Sequence, residues 1–522
     1  MSETSQAGSV LQVDQLRRMG ERFPDEPGYR VVGEGQLTFA EWDRDSNRLA
    51  RGLAALGVGR GDRVAVQLDG RNGLRWVTTY AAAHKAGAAI VPLDARLSGN
   101  EVGRMVAHAR VTVLVADERR LTSAVALAES EQSPLEWVID ADRSPAASGG
   151  ADDGHRIRWD DALDTDGSPH QVEVGAEDLA DILFTSGTTG NPKAVAIRHT
   201  NASAIPNGEP LWSGERWLHA SPQSTFAGVS FVFTPMKMGM TSAYLPKFDA
   251  ERWFDVVEAE RPIAVFLVPA MVQLLLVHPR FEVADLSFVQ ICSVGSAPLS
   301  PTAVDRLQAK MPDALVSNNY GMTEAGSVYC LMPQGEAVRR PGSVGKPLPP
   351  AEVRCVDEDG TALPAGELGR IELHIPGRPR EYLDDPGSTA ETWVDGWLRT
   401  GDIGRLDEEG YLYISGRAKD VIIRGGNNIH AVDVENVIAA HPGVAEVAVV
   451  GVPHDVLGED VVAVLVARPG VALDADDLRA HALEQLADFK VPRRWEFVDE
   501  LPRNSAGKVL KNQLRIDLGA SA

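Results

Sequence analysis

The chain has 522 residues, of which 44% are apolar and 24% charged, and its formal net charge at pH 7 is −23. That length exceeds what one hydrophobic core supports, so two or more domains are expected. The acidic balance argues against nucleic acid or an anionic membrane surface as a partner, because both repel a negative face. Three widely spaced cysteines, Cys292, Cys330 and Cys355, make neither a disulfide framework nor a zinc pattern. They read as small buried hydrophobes in a reducing compartment. The first residues are polar, and no apolar run is long enough to span a bilayer. A cytoplasmic protein without a membrane span is expected, as a monomer or a homodimer.

Along the chain, Trp42, Leu49, Leu53 and Leu56 share one helical face, and Gly57 stops that helix. Residues 64–68 read as a strand, 74–86 as a helix closed by Gly87, and 88–93 as the next strand. Strands are also expected at 111–116 and 137–140, and a surface loop at 141–155. A second alternating series starts at Asp181, with near-continuous apolar runs at 263–268 and 289–294, the pattern of strands buried on both faces. From Glu352 short strands and tight turns dominate, with a hairpin turn at Asp407-Glu408-Glu409-Gly410. After Lys419 come strands at 445–452 and 461–467 and a helix at 478–486, enough for a small α+β domain. Strand–helix alternation predicts mostly parallel sheets covered by helices.

Between two of these strands stands Thr185-Ser186-Gly187-Thr188-Thr189-Gly190-Asn191-Pro192-Lys193. Glycines let backbone N–H groups turn toward an anion, hydroxyls add donors, and the lysine adds charge. No helix follows directly and the spacing is not that of a Walker loop. Composition alone leaves a hydroxyl-rich hairpin as an equal reading. Further strings follow in order: Gly295-Ser296-Ala297-Pro298 after a strand, Asn318-Asn319-Tyr320-Gly321-Met322-Thr323-Glu324, Thr400-Gly401-Asp402, Ser415-Gly416-Arg417-Ala418-Lys419-Asp420, and Pro502-Arg503-Asn504-Ser505-Ala506-Gly507-Lys508.

This ordered set resembles the acyl-adenylate-forming superfamily: acyl-CoA synthetases, firefly-luciferase-like enzymes and adenylation domains of peptide synthetases. It is most similar to the acyl-CoA synthetases, and the resemblance covers essentially the whole chain. It implies an α/β architecture. A large N-terminal AMP-binding domain, residues 1–418, would hold mixed and parallel sheets flanked by helices and a β-rich subdomain. A small mobile α+β domain, residues 419–522, would follow, with Lys419 at the hinge.

The resemblance also implies roles. ATP would be held by Thr185, Ser186, Gly187, Thr188, Thr189, Gly190 and Lys193, by Gly295, Ser296 and Ala297 beside adenine, and by Tyr320, Gly321, Thr323, Asp402, Arg417 and Lys508. Glu324 would hold Mg²⁺, as a hard oxygen suits a hard cation, and Lys508, Thr188 and Glu324 would be catalytic. The implied reaction joins a carboxylate to the α-phosphate of ATP with loss of pyrophosphate. Coenzyme A then takes the acyl group, with Arg424, Gly425 and Gly426 at its pantetheine arm. Many relatives carry Pro-x-Phe-His-x-x-Gly near the acyl pocket. Here the string is Pro222-Gln223-Ser224-Thr225-Phe226-Ala227-Gly228, with Thr225 in the histidine position, and Ala194 replaces a glycine after Lys193.

Thr225, Phe226, Val229, Val294 and Met322 are the candidate acyl-pocket residues. They are mostly apolar, so an aryl or alkyl acid fits better than an amino acid. Competing readings are transfer to a carrier protein or an amine, activation of an unusual small acid such as nitrite, and a non-catalytic nucleotide sensor. The last would have no use for both Glu324 and Lys508.

Overall fold

The computed structural model describes residues 11–142, 154–185, 192–202, 207–209, 211–296, 299–326, 330–375, 377, 379–504 and 507–519. Packing divides the chain into two compact units that interleave along it. Residues 1–266, 321–327 and 377–391 form the first, and residues 267–320, 328–376 and 392–522 the second.

The first unit is built on a sheet that has seven strands among the described residues. Their spatial order is Arg156–Arg158, Trp137–Asp140, Val113–Ala116, Arg63–Gln67, Ala89–Pro92, Leu179–Thr185 and Lys193–Arg198. Neighbours are parallel except the last pair, an antiparallel hairpin whose two strands are joined in sequence by the hydroxyl-rich string. Helices Gly73–Lys85, Gly99–Ala109 and Glu118–Ala128 supply crossovers. The strand expected from residue 111 starts at Val113, because Arg110, at φ 52°, turns the chain out of the preceding helix.

Side chains alternate across a strand, and here the alternation separates two cores. Val64, Val66, Val113 and Val115 pack with Trp42, Trp76 and Tyr80 on one face, while Ala65, Leu114 and Ala116 join a second cluster on the other. Both faces are thus covered, which is why these strands read as unbroken apolar runs. Trp42 is fully buried in the helix Phe39–Ala55, and its indole N–H donates to the Val77 carbonyl at 3.0 Å.

A second parallel group in this unit pairs Arg216–His219 with Thr241–Tyr244, and the latter with Pro27–Val31. The helix Phe226–Met238 connects the first two strands. Its interior Pro235 has no N–H for the Phe231 carbonyl, and the Ser242 hydroxyl donates to that carbonyl instead, at 2.7 Å.

In the second unit, Ile291–Gly295 and Leu315–Asn319 are parallel strands joined through the helix Pro301–Lys310. An antiparallel sheet follows, in the order Cys330–Leu331, Ser343–Pro347, Leu412–Arg417, Trp397–Leu406, Gly369–His374 and Glu352–Val356. The hairpin expected at 407–410 is its turn, with Gly410 at φ 82°. Residues from Val421 onward have a sheet of their own, ordered Asn427–His430, Val421–Arg424, Gly458–Ala467, Val444–His454, with Arg494–Phe497 parallel to Gly458–Ala467. Val461, Ala463 and Leu465 feed one core there, and Val462 and Val464 another. No helix among the described residues is long and apolar enough to cross a membrane. Cys292, Cys330 and Cys355 are all buried and free.

Candidate active site

In the first unit, the strand Lys193–Arg198 brings Lys193 out of the hydroxyl-rich string. Its ammonium donates to the Ser388 hydroxyl at 2.8 Å and lies 4.7 Å from the centre of the Tyr382 ring. The Tyr382 hydroxyl donates to Glu324 Oε1 at 2.9 Å. Arg380, 4% exposed, donates to the Thr323 carbonyl at 2.9 Å and to the Asn201 carbonyl, and its guanidinium lies over the Phe226 ring. Lys193, Thr323, Glu324 and Phe226 are thus gathered around the segment 380–388. Thr185 closes the preceding strand and donates its hydroxyl weakly to the Lys193 carbonyl at 3.4 Å. Ser186, Gly187, Thr188, Thr189 and Gly190 lie outside the described residues. Ala194 is buried in the second core cluster, where its methyl group packs.

In the second unit, Asp402 is the centre. It is 7% exposed and sits in the strand Trp397–Leu406. Its carboxylate accepts from the Tyr320 hydroxyl at 2.6 Å and pairs with Arg417 at 3.2 Å, while its backbone N–H donates to the Thr400 hydroxyl at 3.0 Å. Burial first, then the Asp402 charge, pushes the Tyr320 phenol well above its ordinary value, so it remains a donor. Lys508 belongs to the same group. Burial lowers its ammonium to about 8, repulsion from Arg417 adds to this, and Asp402 and Asp420 oppose it. Lys419 is lowered for the same reasons, burial first and then Arg417.

The loop of Lys508 is tied in place. Its N–H donates to Asn504 Oδ1 at 2.9 Å, and Asn504 N–H donates back to the Lys508 carbonyl at 2.9 Å. Arg503 donates to the Gly507 carbonyl and pairs with Glu446, both at 2.7 Å. Gly295 ends its strand buried, and Ser296 follows at φ 76°. A non-glycine residue in that region is uncommon and concentrates at functional turns. Ala297 lies outside the described residues.

Thr225 has a local task. It is the N-cap of the helix Phe226–Met238, accepting from the Gly228 N–H at 3.1 Å and donating to the Pro222 carbonyl at 2.7 Å. Its hydroxyl is therefore engaged by backbone. Thr225→Val is expected to cost about 1 kcal/mol of stability, read as a lower urea midpoint, whereas Thr225→Ser keeps cap and midpoint. Val229 is buried in the first unit's core and Met322 is half-buried there, while Val294 is buried in its strand in the second unit.

Arg424 is buried and committed to Asp460 at 2.6 Å and to the Phe489 carbonyl at 3.2 Å. Gly425 and Gly426, at φ 57° and 82°, form the turn of its hairpin; the Gly425 N–H donates to the Leu457 carbonyl at 2.8 Å, and a Cβ on Gly426 would meet nothing within 4 Å. Arg380, Tyr382 and Ser388 did not emerge from the sequence. They follow a Gly- and Pro-containing stretch, and nothing in their spacing points to Lys193 or Glu324. A cavity of about 260 Å³ elsewhere in the first unit is lined by Arg119, Arg120 and Ser123, and by none of the candidate site residues.

Comparison with known proteins bears on both clusters. Residues 16–383 match the family described as AMP-binding enzyme, and residues 433–508 match its AMP-binding enzyme C-terminal domain. The chain is 33% identical over 500 residues to the fatty acid–[acyl-carrier-protein] ligase ScoC of Streptomyces coeruleorubidus, covering 93% of this chain and 92% of that one. It is 34% identical over 493 residues to a feruloyl-CoA synthase of Amycolatopsis sp, covering 93% and 95%. The solved structure of ATP-bound MatB from Rhodopseudomonas palustris superposes with a TM-score of 0.83 at 31% identity, covering 97% of this chain and 98% of that one. The chain therefore belongs to the AMP-binding enzyme family and is an AMP-forming, acid-activating ligase.

Proposed function

We propose that the protein converts an aryl or alkyl carboxylic acid into its CoA thioester through an acyl-adenylate. The observation that carries this reading is the grouping of Lys508 with Asp402, Arg417 and Tyr320. A carboxylate and a triphosphate repel each other, so their reaction needs a cation at the point of attack. In the first step a carboxylate oxygen bonds to the α-phosphorus, the bond to the bridging oxygen breaks, and pyrophosphate leaves. Lys508 neutralises the two approaching oxygens, and Lys193 with the string 185–190 holds the departing phosphates. Asp402, already oriented by Tyr320 and Arg417, accepts from the ribose hydroxyls. In the second step the CoA sulfur attacks the acyl carbonyl, AMP leaves, and the thiol proton passes to solvent. Catalysis of this kind is chiefly positioning and charge neutralisation.

Mg²⁺ suits the first unit's residues. A single buried carboxylate, Glu324, is what a cation that keeps most of its waters and rides on phosphates requires. No cluster of three metal-ligating side chains exists among the described residues. The ion would supply charge neutralisation on the phosphates. Residues 419–522 would turn about Lys419 between the two steps, bringing the Gly425-Gly426 turn to the pantetheine arm. A reducing cytoplasm suits three buried free thiols.

A second reading, transfer to a carrier protein, is supported by the similarity to ScoC and by Arg424 being spent on Asp460. The test is pyrophosphate release over a panel of aryl, alkyl and small acids, with and without CoA, with thioester measured by mass. A thioester from at least one acid is expected. Pyrophosphate release with no thioester for any acid would leave adenylation standing and transfer the acceptor role to a carrier protein or an amine.

A further inference from the structure

We infer that Tyr382 is a positioning residue for Glu324: its hydroxyl fixes the carboxylate in the orientation that receives the cation carried by ATP. This rests on the reading of Glu324 as the metal-holding residue. Glu324 is 9% exposed, and the Tyr382 hydroxyl at 2.9 Å is its hydrogen-bond donor among the described residues. A glutamate has three rotatable bonds, and freezing it costs up to about 2 kcal/mol of rotamer entropy. A hydrogen bond to a carboxylate offsets much of that cost and selects one orientation.

Tyr382 can do this because its own place is set by backbone. Residues 381–383 lie antiparallel against Lys193–Arg198, with a single bridge between Tyr382 and Val195. Ala196 N–H donates to the Glu381 carbonyl and Leu383 N–H to the Ala194 carbonyl, both at 2.8 Å. Tyr382 N–H donates to the Thr389 hydroxyl at 2.9 Å. Two residues earlier, Arg380 holds the Thr323 carbonyl, the peptide next to Glu324. Over the ring lies the Lys193 ammonium. One aromatic side chain thus registers the cationic group that follows the phosphate string against the anionic group that faces the metal. If the phenol were mere packing, its hydroxyl would be dispensable.

The experiment compares ATP binding by calorimetry in two conditions, with EDTA and with Mn²⁺, for wild type, Tyr382→Phe and Glu324→Gln. Phenylalanine keeps the ring beneath Lys193 and removes only the hydroxyl. Loss of a group that orients a metal ligand typically costs 10- to 100-fold in metal affinity. Tyr382→Phe is therefore expected to weaken ATP binding about tenfold with Mn²⁺ and less than about twofold with EDTA, with an unchanged thermal midpoint. Equal weakening in both conditions, or a lowered midpoint, would make Tyr382 a packing residue and overturn the inference. Weakening in Glu324→Gln but not in Tyr382→Phe overturns the role of Tyr382 alone. No weakening in Glu324→Gln overturns the reading of Glu324, and the inference with it.

Discussion

Replacing Lys508 with alanine is expected to slow acyl-adenylate formation by about 10²- to 10³-fold, the usual cost of removing one preorganised group from the point where charge must be stabilised. The pH profile makes the expectation sharper. Burial lowers the Lys508 ammonium to about 8, helped by Arg417 and resisted by Asp402 and Asp420. On the proposed mechanism the charged form is the active one, and it is lost as pH rises. The kcat/KM for pyrophosphate release by the wild type, which reports the free enzyme, is thus expected to hold steady below that value and to fall about tenfold per pH unit above it. The acid substrate stays ionised across the whole range and contributes no break there. Lys508→Ala should lack the break. Lys508→Arg, whose guanidinium does not titrate, should run slower than the wild type but flat to pH 10 or so. A break near 8 persisting in both variants would assign it to another group and remove Lys508 from the chemistry.

Gly228→Ala is expected to damage the start of the helix Phe226–Met238 and, on the reading of Phe226 as an acyl-pocket residue, the pocket with it. A Cβ there would stand 2.0 Å from the Pro222 carbonyl oxygen, 2.6 Å from its carbon and 2.7 Å from Gln223 Cα. All three are backbone atoms, so no side chain can swing away. Nor can the segment drift, because Thr225 caps the helix onto the Gly228 N–H and Gln223 donates to the Tyr29 hydroxyl at 3.1 Å and to the Gly73 carbonyl at 3.4 Å. Overpacking of this kind costs about 1–3 kcal/mol, which lowers a thermal midpoint by about 2–4 °C per kcal/mol in domains of this size. Phe226, at the first turn of that helix, would move, so the KM for the acid should rise more than kcat falls. A variant with wild-type midpoint and KM would show that the segment yields easily and that Phe226 is not pocket wall.

Sequence reading recovered what local rules govern. The strand 137–140 and the turn at Gly410 follow from apolar runs and turn residues that need no distant partner. The ordered strings pointed to Asp402, Arg417 and Lys508, and the structure brings these together with Tyr320. What stayed hidden depends on tertiary approach. Tyr382 and Glu324 are 58 residues apart, and Arg380 and Thr323 57, with no periodic pattern linking either pair. Thr225 illustrates the opposite difficulty. Compared with a histidine it looked like a change in the pocket, but a threonine three residues before a glycine N–H is also a helix cap, and that is how it is used.

The reciprocal bonds between Asn504 and Lys508, with the Arg503–Glu446 pair behind them, have a mechanical meaning. A lysine on a slack loop would leave and return as a flap, on its own timescale and in many directions. This one is tied by Asn504 and Arg503 to the C-terminal sheet, where Glu446 lies in the strand Val444–His454. On the proposed turning of residues 419–522 about Lys419, its arrival at the reacting oxygens would be governed by one coordinate, the turning of that whole sheet, and substitutions far from the lysine that stiffen or loosen the pivot would set the pace of the catalytic cycle.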